Sequence, residues 1–193
     1  MPDPVLHLVA GPNGAGKTTL YETVVGPTTH LEFVNADVIA AERWPEDAVG
    51  KSYEAAKVAG ARRSEMIEGR TSFVTETVFS HESKLELVRA VVGAGYLVTM
   101  HVVMVPEALA IARVKSRVAS GGHAVPEKQI RERYARLWPL VASAIQIVDC
   151  AMVYDNSQAR RPFRVVAKFE HGAVVGRTDW PTWAPEALTH AVQ

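Results

Sequence analysis

The chain predicts a three-layer α/β fold around a mostly parallel sheet, and three observations carry that reading. Short apolar runs alternate with longer helix-like stretches. The runs are continuously apolar, as in strands buried on both faces, with none of the clean alternation of a half-exposed sheet. A glycine-rich turn stands between the first run and the first helix. Strand–helix–strand alternation with right-handed crossovers places helices on both faces of a five-stranded sheet. At 193 residues, without a repeat, a low-complexity tract or a linker, the chain suits one domain, 1–193.

The elements follow in order. Val5 to Ala10 reads as the first strand, followed by the glycine turn and a helix ending near Gly26-Pro27. Leu31 to Asn35 is the second strand, and Asp47 to Gly69 a long helical stretch with Gly60 as a weak point. Ser72 to Thr75 makes the third strand, Glu82 to Gly93 a helix, and Tyr96 to Val105 the fourth strand. Pro106 to Ser120 forms a helix stopped by Gly121-Gly122. The next starts at Pro126-Glu127, its apolar stripe set by Ile130, Tyr134, Leu137 and Val141. Pro139 is expected to kink or divide it. Cys150 to Tyr154 is the fifth strand. Phe163 to Phe169 and Ala173 to Gly176 form a C-terminal β-hairpin around Glu170-His171-Gly172, and the tail with Trp180, Pro181, Trp183 and Pro185 reads as a surface loop.

Composition narrows the function. Lys plus Arg and Asp plus Glu each number 21, so no net basic field exists to hold a nucleic acid or an anionic membrane. The longest apolar runs are too short to span a bilayer. Met1-Pro2-Asp3-Pro4 has neither a basic region nor a long apolar segment, which makes the cytoplasm the expected compartment. The single cysteine, Cys150, forms no intrachain disulfide and reads as a small buried hydrophobe. The seven histidines lack metal-ligand spacing. A small molecule or another protein is the expected partner.

The strongest signal is Gly11-Pro12-Asn13-Gly14-Ala15-Gly16-Lys17-Thr18, the phosphate-loop pattern of glycine, four residues, then Gly-Lys-Thr. Its glycines let backbone N–H groups curl round a phosphate, and the helix beginning near Lys17 aims its positive end at the same anion. Lys17 is expected to reach the outer phosphates and Thr18 to ligate magnesium, with Thr19 beside them. The loop predicts a purine nucleoside triphosphate. ATP or GTP fits this reading, and Asp47-Ala48-Val49-Gly50, in a helix-like region and without any Asn-Lys-x-Asp guanine motif in the chain, is a chance match to a GTPase switch.

Two carboxylates end neighbouring strands. Asp37, in Phe33-Val34-Asn35-Ala36-Asp37, is placed to take a proton from an attacking hydroxyl; its structural alternative is a helix cap. Glu76, in Phe73-Val74-Thr75-Glu76-Thr77, is placed to hold magnesium through water or, with Thr77, to bind the acceptor. Phosphoryl transfer also needs positive charge over the migrating group. Arg113 and Arg117 are four apart and share a helix face. Gly121-Gly122-His123 suits a lid turn, with His123 on phosphate or capping the next helix. Arg131 and Arg133 flank the apolar stripe beyond it, and Arg136 falls on the opposite, solvated face. Arg117, nearest the glycines, is the expected catalytic arginine.

Taken together, the phosphate loop, Asn35-Ala36-Asp37, Glu76-Thr77, and Arg117 through Gly121-Gly122-His123-Ala124-Val125-Pro126 resemble the zeta-toxin family of bacterial kinases, particularly its small members. The likeness runs from about Val5 to Ser157. It implies a P-loop kinase fold of adenylate-kinase-like topology with an arginine-bearing helical lid, Asp37 as the base and Glu76 on the acceptor side. Longer members phosphorylate UDP-N-acetylglucosamine at the sugar 3′-hydroxyl and are restrained by an antitoxin protein. The implied activity is therefore Mg2+-ATP-dependent phosphorylation of a small-molecule hydroxyl. The alternatives are a metabolic or antibiotic kinase resembling gluconate kinase or chloramphenicol phosphotransferase, and a nucleotide-dependent binding protein with little catalysis.

Overall fold

A computed structural model describes residues 2–119 and 125–190. Its centre is one seven-stranded sheet in the order β2-β3-β1-β4-β5-β6-β7. The strands are β1 (Val5–Ala10), β2 (Glu32–Val34), β3 (Phe73–Thr77), β4 (Leu97–Met104), β5 (Cys150–Asp155), β6 (Arg164–Glu170) and β7 (Ala173–Val174). The first five run parallel. The sheet is thus the predicted parallel one, with a difference at its edge. The C-terminal hairpin does not stand apart: β6 pairs antiparallel with β5, from Cys150↔Glu170 to Asp155↔Arg164, and extends the sheet by two strands.

The helices are α1 (Lys17–Leu20), which continues through a π turn (Tyr21–Val25) into α2 (Gly26–Thr29), then α3 (Ala36–Arg43), α4 (Ser52–Glu68), α5 (Glu82–Gly93), α6 (Glu107–Ala119), α7 (Glu127–Ile145) and α8 (Glu186–Thr189). They bury opposite faces of the sheet unequally. Leu6, Leu8, Phe73, Val98, Met100 and Val102 face a large core closed by α4, α5 and α7. The other face carries Val9, Val74, Val103 and Tyr154 and is closed by α1, the π turn and the first turn of α6. Spacing explains the close packing: α5 buries Leu85, Val88 and Val91, three residues apart, and α7 buries Ile130, Leu137, Val141 and Ala144.

Three expectations are corrected. Pro139 does not divide α7, which runs unbroken from Glu127 to Ile145. Pro139 lacks an N–H, so one helical bond is lost, yet Leu137, Trp138 and Val141 around it are buried and hold the segment to the core. The tail is not a bare loop. Trp180 and Trp183 pack on the main core, and Leu188 of α8 is fully buried. Cys150 is only half-buried, its thiol pushed up first by burial and then by Glu170 and Asp149. Among the described residues no helix is long and apolar enough to cross a membrane.

Candidate active site

β1 lies between β3 and β4, so the loop leaving its carboxyl end opens into the crevice where such folds bind ligands. Glycine is dictated by close approach at Gly11, where a Cβ would sit 2.4 Å from the Val103 carbonyl oxygen. At Gly16 it is dictated by a φ of +91° and by Asn156, whose amide nitrogen a Cβ would meet at 2.6 Å. Lys17 follows at the start of α1. It is 7% exposed, donates to the Pro12 carbonyl at 3.1 Å, and lies 3.6 Å from Glu76 Oε1. The Asn13 side-chain oxygen is buried without a partner among the described residues.

The loop is braced from behind. Asn156, just past β5, donates its amide to Ala15 O at 2.8 Å and its backbone N–H to Met104 O at 3.0 Å. Arg113 of α6 donates to Asn156 O at 3.0 Å and to Gly14 O at 3.5 Å. Arg113 lines the cavity, but its guanidinium is engaged in holding the loop's shape.

The two carboxylates meet the loop through strand register. Val34 pairs with Thr75 and Ala10 with Thr77, so the residues just beyond β1, β2 and β3 share one edge. Glu76 Oε2 accepts from Thr18 Oγ1 at 2.9 Å and from Asn35 Nδ2 at 3.0 Å. Asp37 is not the cap of α3. Asn35 is, its Oδ1 accepting from Asp37 N at 2.7 Å and Val38 N at 3.3 Å. The capping role weighed for Asp37 therefore falls to Asn35, and Asp37 stands in the first turn of α3, exposed to the crevice.

Two adjoining cavities share this edge. The first, about 500 Å3, is lined by loop residues with Lys17, Thr18, Thr19, Arg113 and Arg117. The second, about 540 Å3, is lined by Asn35, Thr77, Phe79, His81, Lys84 and Arg136 among others. Asp37, Glu76, Val78 and Arg133 line both. The expected arginines thus separate by position. Arg117 and Arg133 reach the crevice. Arg131 turns away into ion pairs with Glu127 at 2.7 Å and Glu107 at 3.3 Å. Arg136, expected on a solvated face, is exposed yet lines the second cavity, one helical turn from Arg133. Gly121, Gly122 and His123 lie outside the described residues. No group of three or more His, Cys, Asp or Glu side chains arranged to hold a metal occurs among the described residues. A cation here would need a hydroxyl such as Thr18, a carboxylate such as Glu76, and oxygens of its ligand.

Sequence reasoning assigned no role to Asn35, Asn156 or Lys84. The signal for Asn35 was legible, an Asn directly before a helix start. For Asn156 it was only a position after a buried strand, and for Lys84 there was none.

A protein-family model described as an AAA domain matches residues 6–140, more than half the chain. No curated protein sequence matches it. Among solved structures, the AvrRxo1-ORF1:AvrRxo1-ORF2 complex with sulphate ions superposes with a TM-score of 0.70 at 15% identity, covering 90% of this chain and 60% of that one. The same complex with ATP gives 0.66 at 14% identity, covering 86% and 58%. The PezAT chromosomal toxin–antitoxin system of Streptococcus pneumoniae gives 0.63 at 14% identity, covering 86% and 72%. At such identities the likeness is one of fold, and the chain spans about three-fifths of the AvrRxo1 chain's length.

Proposed function

The chain belongs to the AAA domain family, and from that premise we propose that it is an ATP-dependent small-molecule kinase of zeta-toxin type, transferring the γ-phosphate to an alcohol hydroxyl. The observation that carries the reading is the shared edge of the two cavities: Asp37 and Glu76 stand between a phosphate loop and a second pocket of similar size. A bare nucleotide switch has no use for that second pocket and its carboxylate.

The residues have separable tasks. The loop's N–H groups and Lys17 receive the triphosphate. Thr18, and Glu76 through water, fit a magnesium ion, which when bound neutralises charge between the outer phosphates. The acceptor hydroxyl loses its proton to Asp37 as its oxygen bonds to the γ-phosphorus, and the bond from that phosphorus to the β,γ-bridging oxygen breaks, leaving ADP. Arg117 and Arg133 offset charge on the migrating group.

The second pocket also favours a class of acceptor. Lys84, Arg133 and Arg136 line it, and none of them enters an ion pair among the described residues. Lys84 is half-buried, its ammonium pushed below its ordinary range first by burial and then by Arg63. Cations left without carboxylates suit an acceptor that brings its own anion, such as a sugar nucleotide of the UDP-N-acetylglucosamine kind. A gluconate-kinase-like substrate with a carboxylate fits the same charges; a neutral antibiotic does not use them. The PezAT likeness adds an antitoxin protein as a proposed partner. The test is transfer from γ-labelled ATP to a small-metabolite pool, comparing wild type with Lys17→Ala. A labelled, mass-identifiable product from wild type alone supports the kinase reading; ATP turnover without a labelled acceptor refutes it.

A further inference from the structure

Asn35 sits where three parts of the site meet. It is 5% exposed, and all of its side-chain polar atoms are engaged in one orientation. Its oxygen faces two backbone donors at the start of α3, the helix carrying Asp37. Its amide nitrogen faces Glu76 Oε2. The opposite amide flip would set oxygen against carboxylate and NH2 against N–H groups, so the network admits one assignment. The register that delivers Asn35 to Glu76 is itself locked, because buried Thr75 donates its hydroxyl to Val34 O at 2.8 Å.

The residue type is selective. Ser, Thr and Asp cap helices about as well as Asn. Ser and Thr are shorter and give up the reach to Glu76, and Asp would place a second carboxylate there. Asn alone among the favoured caps offers an acceptor to the helix and an amide donor to a carboxylate at the same time. The partner has a reason to need holding. Glu76 Oε2 is fixed by Thr18 and Asn35, while Oε1 makes a long ion pair with the Lys17 ammonium at 3.6 Å, short of a hydrogen bond. Released from Asn35, the carboxylate is free to close that gap and compete with a phosphate for Lys17.

We propose that Asn35 is a positioning residue that sets Asp37 and Glu76 against the phosphate loop, holding the first through the α3 cap and keeping the second from closing its long ion pair with Lys17 to hydrogen-bond distance. This rests on the kinase reading for the role of Asp37, but the Glu76 half stands on nucleotide binding alone. Two cap-retaining variants test it, Asn35→Ser and Asn35→Asp. Asn35→Ser is expected to melt within about 4 °C of wild type, since a kilocalorie in a chain of this size moves the midpoint by about that much, and Asn35→Asp lower, because it sets a second carboxylate against Glu76. Asn35→Ser should bind ADP in EDTA about 5-fold more weakly, the size of one lost pairwise coupling, and this loss should vanish in a Glu76→Gln background. With the phosphate acceptor supplied, its kcat should fall about 10- to 100-fold, the scale of a small misplacement at the site, here of Glu76 and Lys17, since the cap that holds Asp37 is kept.

Wild-type ADP affinity and kcat in both variants would overturn the proposal, as would a loss that adds undiminished onto Glu76→Gln. Failure of both variants to fold would reduce Asn35 to a structural cap. If no acceptor is ever phosphorylated, the kinase reading falls, while the Asn35–Glu76 coupling in ADP binding is still measured.

Discussion

Two polar clusters are built into this sheet, and they contrast sharply. At the carboxyl ends of β1 to β3, Lys17, Glu76, Thr18 and Asn35 form a linked set that opens on two cavities. Across β1, β4 and β5, His7 Nδ1 meets His101 Nε2 at 3.0 Å, and His101 Nδ1 meets the Tyr154 hydroxyl at 3.1 Å. Burial drives His101 down to about 4, with His7 adding to it, and burial lifts Tyr154 to about 12. That string is neutral and its groups satisfy one another. The first cluster leaves the Asp37 carboxylate, which accepts no hydrogen bond from the described residues, facing the crevice. The difference lies in location: strand ends can face a ligand, whereas mid-strand polar groups must find partners inside.

That contrast can be broken by substitution. Asp37→Asn should cut kcat by about 100- to 10,000-fold, the range for a lost general base, with little change in ATP affinity; near-normal turnover would remove Asp37 from the base role. Lys84→Gln should raise the acceptor KM about 10-fold, the cost of one charge-assisted hydrogen bond. It should leave the ATP KM unchanged, and an equal effect on neutral acceptors would refute an anion contact.

The mid-sheet string should be read in stability and not in turnover. The folded His101 binds its proton near pH 4 and the unfolded one near 6.5. Its contribution is therefore complete above 6.5 and lost as pH falls toward 4. Urea unfolding at pH 5 should show wild type weaker than at pH 7 by about 2 kcal/mol, order of magnitude, at about 1.4 kcal/mol per pH unit. His7, also lowered by burial, acts in the same direction. His101→Gln should flatten most of that slope and change kcat less than 2-fold, because the string lines neither cavity. A steep slope in the variant would place the titrating group elsewhere.

The phosphate loop was legible because nearly every position in it has a local physical job, and local jobs leave local patterns. Strands β1 to β5 were legible from apolar runs, and α5 from Glu82 to Gly93 to the residue. The hairpin's union with β5 was not, since periodicity marks a strand without naming its partner. The arginines of α6 and α7 were named as a group, but sequence spacing could not tell Arg131, paired with two glutamates, from Arg133, which faces both cavities. Arg136 is exposed as expected, but spacing could not show that its face borders the second cavity.

By itself, the sequence determined a sheet of parallel strands, a phosphate-binding turn at Gly11 to Thr18, and a carboxylate after each of two strands. These are short-range properties of glycine, of apolar runs and of residues adjacent to them. Only the tertiary structure decided that Glu76 is tied to Thr18 and Asn35 beside Lys17, and that Lys84 and Arg136 face the same pocket. Those facts depend on strand register and helix rotation across 41 and 58 residues of separation. Packing of the whole core sets them, and no local pattern records them.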